Sequence, residues 1–581
     1  MVADRKEDVL EMLRELAELT MLEEEDPQSF RVRAYESAAN AIETLGKDPG
    51  LLSAKELQQI EGIGKSTAEK IRELCDTGKV AKLELLRTKH PPGVVALLRL
   101  PGLGPKALGR LRSELGIQSI ADLRAAIASH ALRTLRGFGP KSEENLSRGI
   151  ARLEAQGAVG RTPIAAAHPL AARIVARLRD VDGVRDVAVC GSLRRFCETV
   201  GDVDIIVAAE ARAAAPVMEA LVAMPLAERV LARGDTKTSV VTHRGTQVDV
   251  RVVAPHQLGA ALLYFTGSKG HNIKLRQRAL ARGMTLNEYA LSELEGGRVV
   301  ASETEEAIYA ALGLPFIAPV LREDGGEIEA AEAGALPRPI GGVIGDFHVH
   351  TSTSGDAQSS LDEVIAAALA RGLRVLAITE HAEGTRAGVG REALLGQRAR
   401  IIERQAALGD SLRLLHGIEL NIGPEGELDY DLPFRQQFDW CLASVHDHFD
   451  LDRAAQTRRV VTAMADPTVR MIGHLSARMI GGRAPIDLDV DAVFAAAEAT
   501  GTALEVNGAL PRLDLSVEHL RRARGRALAF LMTSDAHVTD ELDRVRFATL
   551  NAERAWLDPA RVANAWPAER LLDWLAEKRA G

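Results

Sequence analysis

Residues 190–209 read CGSLRRFCETVGDVDIIVAA, and this stretch decides the fold of the N-terminal half. Asp202 and Asp204 are two positions apart in a β-forming run, so their carboxylates project from the same face of a strand. A third carboxylate, Asp249, lies in a second β-forming run, TQVDVRVV. Adjacent carboxylates repel one another unless a cation separates them. These three therefore predict two divalent ions at about the 3.5–4 Å spacing that serves in-line phosphoryl transfer.

A glycine-containing pattern recurs three times, as IEGIGKSTAEKI (60–71), LPGLGPKALGRL (100–111) and LRGFGPKSEENL (135–146). In each copy the glycines precede a predicted helix, which lets the backbone turn tightly and directs N–H groups outward, where an anion is favoured. The repeats resemble helix-hairpin-helix motifs, and this resemblance implies hairpins that grip the DNA backbone without reading base sequence. A helical repeat that packs only on itself would carry the same pattern. The predicted DNA-contacting residues are Gly62, Gly64, Lys65, Gly102, Gly104, Lys106, Gly137, Gly139 and Lys141.

The charge distribution favours a DNA-facing segment inside an acidic chain, whose net charge is −9. Residues 1–45 contain 5 Lys and Arg against 12 Asp and Glu, whereas residues 46–160 contain 19 against 12. A locally basic segment is typical of a nucleic-acid-binding module in a larger enzyme. Charge alone would also fit a chance fluctuation on solvated faces.

Length and composition exclude several classes of protein. With 581 residues, the chain is longer than one hydrophobic core usually serves, so several domains are expected. Hydrophobic residues make up 46% and charged residues 26%, as in globular proteins. No apolar stretch is long enough for a membrane helix, and the N-terminal MVADRKEDVL lacks the apolar core of a secretion signal. The four cysteines include no CxxC pair, which favours a reducing cytosol over a disulfide framework.

The C-terminal part is rich in histidine, with nine of the 15 histidines after residue 345. Short β-forming runs alternate there with helical stretches, which predicts an α/β barrel with parallel strands. Metal-binding residue types recur at or just past the ends of these runs, where barrel active sites assemble. Imidazole and carboxylate groups without thiolates suit Mn²⁺, Zn²⁺ or Fe. The predicted ligands are His348, His350, Asp356, His381, Glu419, His446, His474, Asp535 and His537.

The N-terminal 320 residues resemble the X family of DNA polymerases, as found in repair polymerase beta. The resemblance is carried by the hairpins, the CGSLRR…GDVD strand, VDVR and YFTGSKGHNIKLRQRALARGMTLNEYAL (264–291). It implies that Asp202, Asp204 and Asp249 are catalytic residues that bind Mg²⁺ or Mn²⁺. It also implies an incoming dNTP held by Arg161, Gly191, Ser192, Arg195, Tyr264, Phe265, Gly267, Asn272 and Arg276.

Lys70 has two interpretations under this resemblance. It falls on the lysine that forms a Schiff base with an abasic sugar in the beta-like members, with Tyr35 nearby. Such a nucleophile needs a lowered pKa, from desolvation or a cationic neighbour. Lys70 would equally serve as a DNA-phosphate contact.

The C-terminal part resembles the polymerase-and-histidinol-phosphatase (PHP) domain. The resemblance implies a distorted barrel of seven β/α units with a three-metal site, in which all nine ligand positions are filled here. It implies a metal-dependent phosphoesterase. Joined to a polymerase, such a domain would act on a 3′-terminal nucleotide, a 3′ phosphate or an abasic site.

The predicted fold is multidomain, with an α-helical helix-hairpin-helix region, an α+β nucleotidyltransferase palm with a thumb-side subdomain, and the barrel. The expected boundaries are 1–87 for a helical domain with the first hairpin, 88–158 for the second and third hairpins, 159–257 for the palm, 258–320 for the nucleotide-selecting subdomain, 321–345 for a linker and 346–575 for the PHP domain.

The expected function is DNA-directed synthesis across short gaps in DNA repair of the base-excision type, with 3′-5′ exonuclease or other 3′-end or abasic-site activity in the barrel. Gapped or nicked duplex DNA and dNTPs are the expected partners, and a monomer associated with the nucleoid in the cytoplasm is expected. Two alternatives are a small-molecule phosphatase of the histidinol-phosphate type with a DNA-binding N-terminal half, and a non-catalytic scaffold that binds DNA ends.

Overall fold

The computed structural model describes residues 5–43, 45, 47–98, 100, 103–135, 137–155, 161–385 and 387–577. Of the predicted DNA-contacting residues, Gly102 lies outside this set. The chain divides into two compact units, Met1–Phe316 and Ile317–Gly581. In the described part of the chain, no helix combines the length and the apolar character needed to cross a bilayer.

Among the residues that the structure describes, the first unit begins with nine α-helices that share one apolar core, which runs from Val9 to Ile150. The helix α4 follows the first glycine pattern, and α7 and α9 follow the second and third. The bounds are α1 Lys6–Glu24, α2 Phe30–Glu43, α3 Ala54–Leu57, α4 Lys65–Thr77, α5 Ala81–Lys89, α6 Pro92–Leu97, α7 Pro105–Leu115, α8 Ile120–Ala128 and α9 Pro140–Ala155.

A five-stranded sheet follows, which we call the palm sheet, in the strand order β2-β4-β7-β6-β5. The strand that carries Asp202 and Asp204 pairs in parallel with the strand that carries Asp249. The start of this strand alternates, since Val203 and Ile205 are fully buried while Asp202 and Asp204 are half-buried. The bounds are β1 Thr162–Pro163, α10 Ile164–Arg179, β2 Val184–Val189, α11 Gly191–Arg194, β3 Thr199–Val200, β4 Asp202–Ala209, α12 Ala214–Val222, β5 Ala227–Arg233, β6 Lys237–Thr242 and β7 Gln247–Val253.

The unit ends in a small subdomain with three helices and a three-stranded antiparallel sheet in the order β10-β9-β8. The YFTGS sequence spans the end of its first helix and the turn into its second. The bounds are α13 Leu258–Thr266, α14 Lys269–Ala281, β8 Met284–Leu286, β9 Leu291–Glu293, β10 Val299–Ala301 and α15 Glu305–Ala311.

The second unit is built on seven parallel strands in sequential order, β11 to β17. The predicted β-forming runs of the C-terminal part are these strands, and they read GDFHVHT, RVLAITEH, LLHGIEL, DWCLASVH, VRMIGHL, GTALEVNG and LAFLMTSDAH. Beyond the last strand, the chain returns to the first one: His350 N–H donates to the Ala536 carbonyl at 2.9 Å, and Asp535 N–H donates to the His348 carbonyl at 3.0 Å. These bonds bring the sheet close to a closed barrel, and the predicted fold class is confirmed.

The bounds of the second unit are α16 Glu327–Glu332, β11 Gly345–Val349, α17 Leu361–Ala370, β12 Val375–His381, α18 Arg391–Leu408, β13 Arg413–Asn421, α19 Leu432–Arg435, β14 Trp440–Ser444, α20 Arg453–Met464, β15 Val469–Ile472, α21 Val490–Thr500, β16 Ala503–Asn507, α22 Val517–Arg522, β17 Phe530–Thr533, α23 Val545–Arg554 and α24 Ala568–Glu577. The strands are buried along nearly their whole length, as expected for parallel strands covered by helices.

The structure differs from the sequence prediction in segment 321–345, where the Gly, Pro and Glu content predicts a linker. The helix α16 forms there, with Ile328 and Ala331 buried. Glu323 also pairs with Arg554 of α23, at 2.8 Å. The segment therefore packs as part of the second unit, because its few apolar side chains find a core that local composition does not reveal.

Candidate active sites

Three carboxylates meet at one end of the palm sheet. The register pairs Asp204 with Asp249 across β4 and β7, and Asp202 lies two residues before Asp204 on the same face. One oxygen from each side chain lies within 4.8 Å of the other two, and all three residues are half-buried. An all-oxygen set of this kind fits Mg²⁺ or Mn²⁺.

The electrostatics of this cluster favour a bound cation. Burial, together with the negative charges of Asp202 and Asp249, raises the pKa of the Asp204 carboxyl to about 7. Asp249 is also partly buried, yet hydrogen bonds from Ser239, Lys237 and Gln247 lower its pKa. A divalent cation among these oxygens would stabilise the ionised form of Asp204.

Lys237 is a site residue that the sequence prediction did not include. Its ammonium lies 3.1 Å from Asp249 Oδ2, and it is carried on β6, whose register places it beside Arg251 of β7. The sequence shows only a lysine in a β-forming run, KTSVVT. Its contact with the carboxylate depends on the pairing of two strands, which no local pattern gives.

The turn before β4 packs directly against the carboxylates. Cys190 N–H donates to the Asp204 carbonyl at 2.7 Å. Gly191, which begins α11, has φ +62°, and a Cβ atom there would lie 2.3 Å from Asp204 Oδ2. Glycine is therefore required at this position, because its backbone approaches the carboxylate closely. Ser192 follows on α11 and is half-buried.

Two arginines among the predicted dNTP-binding residues, Arg161 and Arg195, are held by backbone carbonyls. Arg161 donates to the Thr199 hydroxyl at 3.0 Å and to the Thr199 carbonyl at 2.7 Å. Arg195 donates to the Thr266 carbonyl. The neighbouring Arg194 pairs with Glu305, at 2.6 and 3.0 Å. The two consecutive arginines therefore connect the turn to the thumb-side subdomain.

Five of the predicted dNTP-binding residues lie in segment 264–276, and we call them the nucleotide wall: Tyr264, Phe265, Gly267, Asn272 and Arg276. Tyr264 and Phe265 pack edge to face with ring centres 4.9 Å apart. Asn272 donates to the Tyr264 carbonyl at 2.7 Å, and the Arg276 guanidinium lies 5.0 Å from the Tyr264 ring. Gly267 has φ +68°, and a Cβ there would lie 3.3 Å from a guanidinium nitrogen of Arg195. The wall is therefore continuous with the arginine turn.

The hairpin glycines fall into two groups. Gly64 and Gly104 are the N-caps of α4 and α7, with extended backbone, and Gly139 directly precedes α9. A Cβ atom at any of these three would meet nothing within 4 Å. Gly62 and Gly137 have φ +90° and +92°, so they are required by the turn itself. The lysines at the helix starts, Lys65, Lys106 and Lys141, are exposed.

Lys70 is partly buried, next to Ser66 and Tyr35. Its ammonium donates to the Ser66 hydroxyl at 2.7 Å and lies 5.8 Å from the centre of the Tyr35 ring. Burial lowers the pKa of the Lys70 amine, against the opposing charges of Glu69 and Glu73. This partial desolvation of the Lys70 amine is not visible in the sequence.

In the barrel, Glu419 lies at the centre of the predicted ligands. Its two oxygens lie near five histidine rings from four strands or strand ends, since His348 and His350 both come from β11. The distances are 3.5 Å to His348, 3.7 Å to His350, 2.8 Å to His381, 3.2 Å to His446 and 3.1 Å to His474. A fully buried carboxylate in this position fits a ligand that bridges metal ions.

The remaining predicted ligands complete the cluster. Asp535 Oδ1 lies 3.5 Å from both His348 and His350. Asp356 Oδ2 lies 3.2 Å from His381 and 3.5 Å from His537 at the outer edge. All nine predicted residues therefore lie in one region, beside a cleft of about 560 Å³ at the carboxyl ends of the strands.

The charges and buried atoms of this cluster fit several metal ions. The Glu419 and Asp356 carboxylates raise the pKa of His381 to about 10, although burial opposes protonation. Buried ring nitrogens of His348, His350 and His474 have no hydrogen-bond partner. Unpartnered buried nitrogens are costly in a folded protein, and metal ions would coordinate them.

Two buried residues that the sequence prediction missed orient the ligands. Glu505 accepts from His348 Nδ1 at 2.6 Å and from the Thr533 hydroxyl at 2.6 Å. Asn507 donates to Asp535 Oδ2 at 3.1 Å. Such partners fix the tautomer and the orientation of a metal-binding side chain. The Glu505-x-Asn507 spacing, two polar groups on one face of a buried strand, is the signal that would have identified them.

Four profiles of known families match separate parts of the chain. They are described as a helix-hairpin-helix domain over residues 4–80, a SAM-like helix-hairpin-helix tandem over 94–152, a DNA polymerase beta thumb over 261–323 and a PHP domain over 346–508.

Relatives match the chain over different lengths. The protein named DNA polymerase/3'-5' exonuclease PolX, from Bacillus subtilis, is 36% identical over 567 residues, which cover 96% of this chain and 97% of the relative. DNA polymerase lambda of Rattus norvegicus is 27% identical over 51% of this chain and 52% of its own length. A protein of Vibrio cholerae named as a probable phosphatase is 28% identical over 40% of this chain and 92% of its own length.

Proposed function

The chain belongs to the family of the bacterial DNA polymerase/3'-5' exonuclease PolX, and from this premise we propose that it fills short gaps in DNA during repair with its palm and trims 3′ ends with its barrel. It is a DNA-directed DNA polymerase with an exonuclease domain. Its two units hold separate sets of ligands for divalent metal ions.

The polymerase assignment depends above all on the carboxylate cluster Asp202, Asp204 and Asp249. These residues would hold two Mg²⁺ or Mn²⁺ ions, which supply charge stabilisation at the attacking and leaving oxygens when bound. Ser192 and the N–H groups of the Gly191 turn would hold the triphosphate, with Arg161 and Arg195 beside them. The Tyr264, Phe265 and Gly267 wall would exclude water from the sugar side, and Asn272 and Arg276 would contact the bases.

The exonuclease assignment depends on the nine-ligand cluster of the barrel. The His and carboxylate set would hold three ions, and its mixture of imidazole and carboxylate suits Mn²⁺, Zn²⁺ or Fe. Bound ions supply Lewis-acid activation of the phosphate and of water. Among the three candidate substrates, the 3′-terminal nucleotide is the one named in the full-length relative.

DNA binding would come from the hairpins. Exposed lysines and open helix N-termini recur in the three copies, and they suit backbone phosphates on both sides of a gap. We further propose that the protein works as a monomer on nucleoid DNA in the cytoplasm. Lys70 would support either abasic-sugar chemistry or phosphate contact.

The small-molecule phosphatase is the weaker candidate. The Vibrio relative that carries that name matches 40% of this chain, whereas the polymerase/exonuclease relative matches 96%. The scaffold alternative requires both ligand clusters to be idle, and the buried unpartnered histidine nitrogens argue against it.

A one-nucleotide gapped duplex with a 5′-labelled primer tests the proposal. With dNTPs and Mg²⁺ or Mn²⁺ the primer should lengthen by one nucleotide, and without dNTPs it should shorten in Mn²⁺. A duplex without a gap is the control for gap preference. Hydrolysis of histidinol phosphate without either change in primer length would support the phosphatase instead.

A further inference from the structure

Arg512 lies in the loop after β16 and lines the barrel cleft together with His474 and Asp535. Among the described residues that line this cleft, it is the one side chain with a permanent positive charge. None of the nine predicted metal ligands is an arginine, since a guanidinium has no lone pair to donate. Its presence beside the ligands therefore calls for a role other than metal binding.

The Asp535 carboxylate lies between the Arg512 guanidinium and the histidine cluster. Arg512 Nε lies 3.5 Å from Asp535 Oδ2, while the opposite oxygen of Asp535 lies 3.5 Å from both His348 and His350. The side chain is 21% exposed, and its Nη1 is buried without a hydrogen-bond partner. A buried guanidinium nitrogen without an acceptor is costly, and an anion in the cleft would provide the acceptor.

The loop holds Arg512 in place through its backbone. The Arg512 carbonyl accepts from Arg478 Nε at 2.8 Å, and the Arg512 N–H donates to the Ala509 carbonyl at 2.8 Å. Ala509 N–H in turn donates to the Asn507 side chain at 2.9 Å, which is the side chain that also holds Asp535. The arginine and the ligand carboxylate are thus positioned by one hydrogen-bonded network.

We propose that Arg512 binds a non-bridging oxygen of the phosphate that the barrel cleaves. The inference rests on the exonuclease assignment above and adds a substrate-binding residue to it. Arginine presents a planar fork of donors that matches two phosphate oxygens, and its charge balances that of a phosphodiester in a site of low dielectric. The phosphate would lie in the cleft, beside both the guanidinium and the metal ligands, with the rest of the DNA strand leaving through the cleft.

The test compares Arg512→Met, which removes the charge but keeps the length, with Arg512→Lys and with the control Arg371→Met. Arg371 also pairs with an aspartate, Asp543, at 2.7 Å, but at the C-terminal end of α17 rather than in the cleft. Rates are measured with Mn²⁺ on gapped DNA, on bis(p-nitrophenyl) phosphate and on p-nitrophenyl phosphate. Bound metal is measured by mass spectrometry, and the affinity for thymidine 5′-monophosphate by calorimetry.

Arg512→Met should lower kcat/KM for the diesters by roughly 10- to 100-fold, the loss expected for a hydrogen bond to a charged group. Binding of the nucleotide monophosphate should weaken in proportion, whereas the metal content, the melting temperature and gap filling should not change. Arg512→Lys should recover part of the loss, and Arg371→Met should match the wild type. A similar loss on the monoester would extend the role to phosphate in general and would support the inference.

Two results would overturn the inference. One is an unchanged kcat/KM and nucleotide affinity in a folded Arg512→Met variant. The other is loss of bound metal in both Arg512 variants, because the residue would then act only by supporting Asp535. If the exonuclease assignment itself were wrong, the result would be distinguishable, because the wild-type protein would then cleave neither the DNA 3′ end nor the small diester.

Discussion

Asp202, Asp204 and Asp249 form one cluster, in which the negative charges of Asp202 and Asp249 raise the cost of ionising Asp204. We predict that Asp202→Ala lowers single-nucleotide incorporation by about 100-fold or more, because a lost metal ligand removes several kcal/mol of transition-state stabilisation. DNA affinity should stay near the wild-type value, since the hairpins are untouched. Primer extension and fluorescence anisotropy measure the two effects. The exposed Asp186, on β2 of the same sheet, provides the control Asp186→Ala. Near-normal extension by Asp202→Ala would rule out the two-metal assignment.

Replacing Gly191 tests whether its backbone approaches the Asp204 carboxylate as closely as the structure shows. A Cβ atom there would lie 2.3 Å from Asp204 Oδ2, so Gly191→Ala should displace the carboxylate and abolish gap filling while 3′ trimming continues. Gly283→Ala is the matched control, because Gly283 also has a positive φ, +70°, but open space around its Cβ position. Both variants carry a backbone strain of about 1–2 kcal/mol, and only the first carries the clash. Equal polymerase activity in the two variants would contradict the close approach of the Gly191 backbone to Asp204.

Replacing Glu505 tests whether this side chain positions the metal-binding residues of the barrel. Removing its charge by Glu505→Gln should weaken metal binding by about 10- to 100-fold, because a neutral amide accepts the hydrogen bond from His348 Nδ1 more weakly than the carboxylate does. Trimming should fall at limiting Mn²⁺ and recover at high Mn²⁺, while gap filling should not change. Metal affinity is measured by competition with a chromogenic chelator. Glu498→Gln is the control, since Glu498 pairs with Arg526 at 3.1 Å. Unchanged affinity would limit Glu505 to a packing role.

At the scale of elements, DNA is predicted to bind at the N-termini of α4, α7 and α9. Gly64, Gly104 and Gly139 have room for a side chain, so their joint replacement by Val should leave the fold intact while blocking close approach of a phosphate to the backbone. DNA affinity should fall to a similar extent for every base sequence, and the dependence of affinity on salt should become less steep.

The matched control for this triple variant is Gly390→Val. Gly390 is also the N-cap of a helix, α18, with open space at its Cβ position, but it belongs to the barrel. Anisotropy titrations on three unrelated sequences, together with thermal melting, measure the effects. A well-folded triple variant with wild-type affinity would assign the hairpins to packing alone.

At the scale of the whole molecule, the two chemistries should separate by mutation. The palm ligands and the barrel ligands belong to different compact units, so each metal site should work without the other. We predict that the double change His348→Ala and His350→Ala abolishes Mn²⁺-dependent trimming of a 5′-labelled gapped primer and leaves gap filling within about twofold, whereas Asp202→Ala does the reverse. Because metal loss can destabilise the barrel, thermal melting of the double variant is the accompanying control. Normal trimming by the folded double variant would make the barrel metals structural.

Local sequence predicted much of this molecule because backbone periodicity is a local property. The period of two in GDVDIIV placed Asp202 and Asp204 on one face, and the seven β-forming runs of the second unit gave its seven parallel strands. Ligand types at the ends of those runs were visible for the same reason, since parallel strands bring their carboxyl ends to one side.

The sequence by itself therefore determined the elements, the fold class and the residue types that approach each site. Tertiary structure alone decided which side chains meet: Lys237 reaches Asp249 through strand register, Glu419 becomes the centre of five histidines, and Glu505 and Arg512 join the barrel site. It also turned the apparent linker at 321–345 into packed structure. The physical reason is that register, barrel closure and burial depend on contacts between residues distant in the chain, and those contacts leave no periodic signal in any one segment.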